Sequence, residues 1–330
     1  MVTLQDDERI QVEDDLERSA ALLNEAWPIP RWEYTPEMLA AYLHRPSWIP
    51  SVALGYFRGD ELGGLFCAFP YRLQLNGRRL KASYGTWWTA KSKFVLRRVG
   101  TKILGVAQFL AHVYAVDAAV AVTRAGTVSD KANLAVFAQL DMPSTLLKTY
   151  GELMSTPRLL AARLSSAGHT GEVRRADSSA AADIATLVTA PPPPSCLYRE
   201  FAESEIPFVF VERPHTHTWL YLRGGRPKAL LNVLIKGYRG ASLVRNAYVE
   251  HLVGDGMTQA ECASFLRDVL TDPVWDTVHA ISVIDNGYFP TEHLRACGFF
   301  PTSERFNLYG IPYNPDVVLE PVESFNLEVY

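Results

Sequence analysis

The sequence predicts an α/β (α+β) chain made of two similar halves, each a twisted mixed β-sheet flanked by helices. Three observations carry this. A motif returns at half the chain length of 330 residues. Apolar periodicity switches between two-residue and 3.6-residue spacing in the same order in both halves. A strand of bulky residues, Trp87 onward, enters a basic loop and leaves through Gly100 into an apolar helix.

Both halves open on a short strand and a helix, from Arg9 in one and Arg174 in the other. In the first half Thr35-Pro36-Glu37 marks a helix start, with Thr as the cap and Pro in the first turn. YFRGDELGGLFCAF from Tyr56 then aligns with YLRGGRPKALLNVL from Tyr221, an offset of 165. Each reads as an aromatic strand, a Gly-centred turn and an apolar strand, the signal of a β-hairpin. A second hairpin follows, turning at Asn76-Gly77 and near Gly240. Gly100–Tyr114 and Thr258–Leu270 have helical spacing, and Val116–Val122 and Val278–Ile284 are strand-like. Gly168–Gly171 separates the halves, so the expected domains are 1–170 and 171–330. Pro191–Pro194 is a stiff run, and prolines 312, 315 and 321 give the tail from Ile311 an extended character.

Composition is that of a folded protein, with 48% hydrophobic and 21% charged residues. No apolar run reaches the ~18–20 residues of a membrane span. An acidic N-terminus lacks a signal core. A cytoplasmic protein with no membrane partner is expected. Four scattered cysteines form no CxxC pair and read as buried thiols. His215 and His217 alternate on one strand without an acidic or sulfur partner, so no metal is expected.

The net charge of −4 hides an asymmetry. Residues 62–176 hold sixteen Lys and Arg against five acidic residues, a local +11, and the remainder carries −15. A polyanionic donor on the first half and an amine-bearing acceptor near the second fit this division. Lys91, Lys93, Arg97, Arg98 and Lys102 surround the Gly100 turn. With Ser92, Thr101 and the free N–H groups of the new helix they form a candidate phosphate or pyrophosphate site.

This order of elements, with its basic R-x-x-G loop after the fourth strand, resembles the GNAT superfamily of N-acyltransferases. The likeness spans most of both halves and implies a tandem GNAT. In that family the Q/R-x-x-G-x-G/A loop binds the acyl-CoA pyrophosphate. Arg97 and Gly100 match it, and Lys102 departs from the small residue expected. Asn133 stands at the family's asparagine position. The second half lacks R-x-x-G, with Gly254-Asp255-Gly256 in its place, but keeps L-x-x-x-G-F as Leu294, Gly298 and Phe299. The resemblance therefore implies division of labour, with the donor held by the first half and the acceptor site shaped by the second. The family's oxyanion donors come from the fourth strand, here near Trp88–Ser92.

Tyr84 as acid and Asp130 as base are the catalytic candidates, with Trp88. Tyr84 alternates with Thr86 and Trp88 on one strand face, and Asp130 or Ser129 would also serve as a helix cap. Trp87 and Trp88 face opposite sides of the sheet. Asp285, Asn286 and Tyr288 are candidates for binding the acceptor, or they form a plain Asp-Asn-Gly turn. Three activities stay open. One is transfer from acyl-CoA to a small-molecule amine. Another is amide formation from aminoacyl-tRNA, as in Fem-type transferases, with a basic stripe that includes Arg72, Arg78, Arg79, Lys81, Arg158 and Arg163. The third is non-catalytic binding by a degenerate GNAT.

Overall fold

A computed structural model of the chain describes residues 3–193, 195–254 and 256–328; the side chains of Leu96 and Arg97 lie outside the described set. The chain forms two compact units. Unit 1 comprises Met1–Thr149 and Phe306–Val322, and unit 2 comprises Tyr150–Arg305 and Glu323–Tyr330.

Unit 1 begins with β1 (Glu8–Val12), α1 (Leu16–Ala26), the two-residue β2 (Arg31–Trp32) and α2 (Pro36–Leu43). Asp15 caps α1 by accepting from the Arg18 N–H, and Thr35 caps α2 by accepting from the Met38 N–H ahead of Pro36. A meander follows: β3 (Val52–Arg58), β4 (Glu61–Leu75) and β5 (Arg78–Ala90). Since β2 is an extra, β5 is the fourth strand of the expected order. Gly59 turns the first hairpin at φ +57°, and Asn76-Gly77 turns the second with both φ positive. Then come α3 (Val99–Val113), β6 (Ala118–Arg124), α4 (Val128–Gln139) and β7 (Thr145–Ser155).

One face of the unit 1 sheet packs Leu54, Tyr56 and Phe66 against Val99, Ile103 and Leu104 of α3. The other carries rings: Trp87 meets Tyr34, Tyr42 and Phe69 edge-on, and Tyr84 stacks on Tyr71.

Unit 2 repeats the plan. Its helices are α5 (Pro157–Leu164), α6 (Ala181–Val188), α7 (Gln259–Val269) and α8 (Thr291–Cys297). Its strands are β8 (Glu172–Arg175), β9 (Cys196–Glu200), β10 (Thr216–Arg223), β11 (Arg226–Arg239), β12 (Leu243–Gly254), β13 (Ala280–Asp285), part of β14 (Phe300–Pro312) and β15 (Ser324–Asn326). The duplicated motif lands as read: Tyr56 in β3 and Tyr221 in β10 are fully buried, and Gly224 turns its hairpin at φ +57°. Leu231, Val233, Ala247 and Val249 pack under α7 and α8. All four cysteines are buried and free.

The units do not divide the chain at residue 170. Two long strands carry residues of both. Gly151–Ser155 of β7 pair with β13, whereas Phe306–Pro312 of β14 pair with β6. The Gly168–Gly171 segment is a loop inside unit 2. β7 and β14 are 11 and 13 residues long, and the division between the units falls inside each. Among the described residues no helix is long and apolar enough to cross a membrane.

Both hairpin glycines sit in open space, so an added methyl group meets no neighbour and only the backbone conformation resists it. Gly59→Ala and Gly224→Ala should each lower stability by about 1 kcal/mol. Denaturant titration of the single and double variants checks this, and the two effects should add.

Candidate functional site

The site grows from a defect in β5. Along Arg79–Tyr84 burial alternates as in a regular strand, then Trp87 takes a left-handed conformation at φ +50°. Pairing with β4 shifts there, from Cys67↔Thr86 to Leu65↔Thr89, so β5 bulges. The bulge breaks the face parity expected from alternation. Tyr84 and Trp87 share the aromatic face, while Trp88 packs on the α3 side. Tyr84 and Trp88 thus lie on opposite faces, not together. Tyr84 is buried among Phe69 and Tyr71.

Beyond the bulge β5 parts from β6. Their parallel pairing runs from Ala82↔Ala118 to Gly85↔Ala121 and stops, although β5 continues to Ala90 and β6 to Arg124. Backbone groups of Thr86–Ala90 on that side therefore have no ladder partner in β6.

The following turn fixes where α3 begins. The Lys91 N–H donates to the Gly63 carbonyl, and a six-residue 3₁₀ segment, Ser92–Arg97, leads to Arg98. Phe94 seats on Gly63 and Val99 on Gly64, approaches that a Cβ at either glycine would block. The Gly-Gly doublet in β4 is thus part of the site. Its sequence signal is two adjacent glycines in an otherwise apolar strand.

Arg98 is exposed and left-handed (φ +55°, ψ +36°), and α3 starts from it with no side-chain cap and no acidic residue in its first turn. The first intrahelical bond is from the Lys102 N–H to the Arg98 carbonyl. The amides of Val99, Gly100 and Thr101 are left by the helix to outside partners, in the left-then-right-handed arrangement that cups anions. Gly100 carries the Trp88 indole, whose Cζ2 would stand 2.5 Å from an added Cβ. Its missing side chain is what admits Trp88. Both residues are half-buried, Arg98 beside them is exposed, and Val99 is buried.

The cations expected around the bend divide sharply. Lys102 is buried and donates to Glu8. Burial works to raise the Glu8 pKa, but Lys102, the Gln5 N–H and the Tyr56 hydroxyl together lower it to about 2. Lys102 is therefore a core ion pair rather than a phosphate ligand. Lys91 bonds Glu61 and Glu25 at 3.1 and 3.2 Å, and Lys93 bonds Glu61 at 2.7 Å. Arg98 points outward; Arg97 as a ligand lies outside the described side chains. Ser92 is exposed, and the Thr101 hydroxyl bonds Gln139 of α4.

Asp130 is neither the helix cap nor an accessible base. Thr127 caps α4 by accepting from the Asp130 N–H. The Asp130 carboxylate is buried and accepts from Thr123, Gly126 N–H, Tyr309 and Asn307. Burial would raise its pKa, but these donors hold it below the usual range. A carboxylate so stabilised in its charged form is a weak proton acceptor. Asn133 is half-buried one turn further along α4.

Unit 2 contains the same splay in closed form. β12 and β13 pair from Asn246↔Ala280 to Val249↔Val283 and stop, with a bulge at Glu250. Glu250 is buried and paired with Arg213. Here, however, α7 carries a full capping box: Thr258 accepts from the Glu261 N–H, and Glu261 accepts from the Thr258 N–H. Met257 and Phe289 crowd Gly254. The intervening Asp255, expected to repel phosphate, lies outside the described residues. Asp285, Asn286 and Tyr288 form a local turn: Thr291 donates to Asp285, the Tyr288 N–H donates to Asn286, and Gly287 has φ +74°.

Known structures share this architecture. Saccharomyces cerevisiae N-myristoyltransferase with bound myristoyl-CoA matches all of this chain and 87% of its own, at TM-score 0.75 and 12% identity. The protein has the tandem GNAT fold. An Enterococcus faecalis protein described as a probable N-acyltransferase matches 93% of this chain and 73% of its own (TM-score 0.57, 9% identity). A GCN5-related N-acetyltransferase from Kribbella flavida matches 92% and 71% (TM-score 0.55, 13% identity). No protein-family profile and no curated protein matches the sequence.

The Glu8–Lys102 pair gives a pH signature. Its folded pKa lies below the ordinary value of 4.5, so its contribution is complete above that value. It should be lost as pH falls from about 4.5 towards 2. Glu8→Gln should cost about 3–5 kcal/mol at neutral pH by leaving Lys102 buried without its counter-charge, and should flatten the acid limb of stability. Urea titrations between neutral pH and pH 3 check both.

Proposed function

We propose that the protein is an acyl-CoA-dependent N-acyltransferase that acylates the amine of a small molecule. The observation that carries this is the conjunction of an uncapped α3 with the separation of β5 from β6 directly before it. Amides of Val99, Gly100 and Thr101, with Arg98, would take the donor's pyrophosphate. The thioester arm would then run along the side of β5 that β6 vacates. In the transition state the amine nitrogen bonds the thioester carbon and negative charge moves to the carbonyl oxygen. Backbone N–H groups between Trp88 and Ser92, apart from that of Lys91, which bonds the Gly63 carbonyl, would meet that oxygen. Collapse of the intermediate breaks the carbon–sulfur bond, and the proton released by the amine nitrogen ends on the departing thiolate, giving an amide and free CoA thiol.

The fold neighbours support a CoA donor, since N-myristoyltransferase carries myristoyl-CoA. A compact phosphate grip also fits the pairing of Lys91, Lys93 and Lys102 with carboxylates better than an extended track for a polynucleotide does. Unit 2, with its anion site closed by Glu261, is assigned to the acceptor side.

Calorimetry with acetyl-CoA and longer acyl-CoAs tests the donor. Binding is expected, and Arg98→Glu should weaken it about ten-fold or more by reversing the charge at the helix entrance. Release of free CoA thiol in the presence of amines tests the transfer. No heat with any acyl-CoA, or amide formation that ribonuclease abolishes, would contradict the reading.

A further inference from the structure

The C-terminal half of α3 is an exposed apolar ridge. Phe109, Val113 and Tyr114 are 65%, 60% and 45% exposed. Phe109 and Val113 lie one turn apart on the same helix stripe. On one flank the surface falls into an apolar cleft lined by Ile49, Val52, Leu54, Ala68, Leu110 and Tyr114. Apolar side chains gathered on a free surface mark an interaction site more often than chance.

The neighbouring surface is cationic. The Lys81 N–H donates to Asp117, and its carbonyl accepts the Asp117 N–H, which ties β5 of the β4–β5 hairpin to Asp117, three residues after Tyr114. That hairpin exposes Arg72, Arg78, Arg79 and Lys81. Trp48 lies beneath Lys81, 5.6 Å from its ammonium, and donates to the Tyr71 carbonyl. Among the acidic groups nearby, Asp117 is held by the Lys81 N–H and Asn314, the Asp316 carbonyl accepts from Arg78, and the exposed Asp141 lies on the other flank of α3, with Gln108 and His112.

We infer that this end of unit 1 docks on the surface of an anionic lipid bilayer. Phe109, Val113 and Tyr114 enter the interfacial layer, and the hairpin cations meet lipid phosphates. Such pairing of aromatic and aliphatic side chains with Lys and Arg is how peripheral surfaces bind anionic leaflets. Charge complementarity selects this occupant. A second copy of the chain would bring the same four cations against each other. A nucleic acid would satisfy the cations but leave Phe109 and Val113 in water. The attachment is peripheral, and it stands independently of the donor reading.

Sedimentation of the full chain with vesicles tests it, using phosphatidylcholine alone and an equal mixture with phosphatidylglycerol. The protein should pellet with the anionic vesicles at low salt, stay in solution with the neutral ones, and be released by high salt. Phe109→Ser with Val113→Ser should lower the partition coefficient about ten-fold. Arg72→Gln with Arg79→Gln should do the same. Val128→Ser, at an 85% exposed position on α4, should change nothing. Unchanged melting curves separate these effects from unfolding. Failure to bind anionic vesicles, or binding that both double variants retain, would overturn the inference. So would a dimer or an RNA complex that the same substitutions abolish while vesicles go unbound.

Discussion

The site depends on the point where β5 leaves β6. Parallel pairing holds to Gly85↔Ala121 and no further, because Trp87 turns left-handed and throws the rest of the strand out of register. An antiparallel or continuous pairing here would leave no gap. With the gap, a strand carries main-chain groups that are still unclaimed when it reaches the loop. The loop itself is held by contacts that need glycine: Phe94 on Gly63, Val99 on Gly64 and Trp88 on Gly100. Their combined effect is to present the first turn of α3 in one orientation.

Duplication supplies an internal control. Both units have the meander, the bulge, the splay and the helix after it. They differ at the helix start. α3 has no side-chain cap, and α7 has both members of a capping box, with Glu261 further tied to Arg223. A carboxylate already occupying the N-terminus of α7 competes with any phosphate there. On the proposed reading, division of labour between the copies would reduce to whether helix amides are satisfied internally.

Much of the fold could be read from sequence because local signals agreed. The 165-residue offset, the Gly59 and Gly224 turns, Asn76-Gly77 and Thr35-Pro36 all act over a few residues. The exchange of β7 and β14 between units was hidden, since it rests on pairings such as Phe306↔Arg124, far apart in the chain. Within the site, the loop and the uncapped helix were legible, and the fate of the charges was not. Lys102 and Glu8 are 94 residues apart, and the Asn307 and Tyr309 partners of Asp130 are 177 and 179 away. Strand alternation misplaced Tyr84 relative to Trp88 because one left-handed residue shifts the parity of everything after it.

On the proposed reading, the described residues offer the donor a small set of groups: three amides, the exposed Arg98 guanidinium and an edge of β5. The most direct test is nuclear magnetic resonance of ¹⁵N-labelled protein titrated with coenzyme A. The account predicts large shifts of the Val99, Gly100 and Thr101 amides and none at Gln259 and Ala260 in the first turn of α7. Shifts confined to α7, or an α3 N-terminus that does not respond, would contradict it.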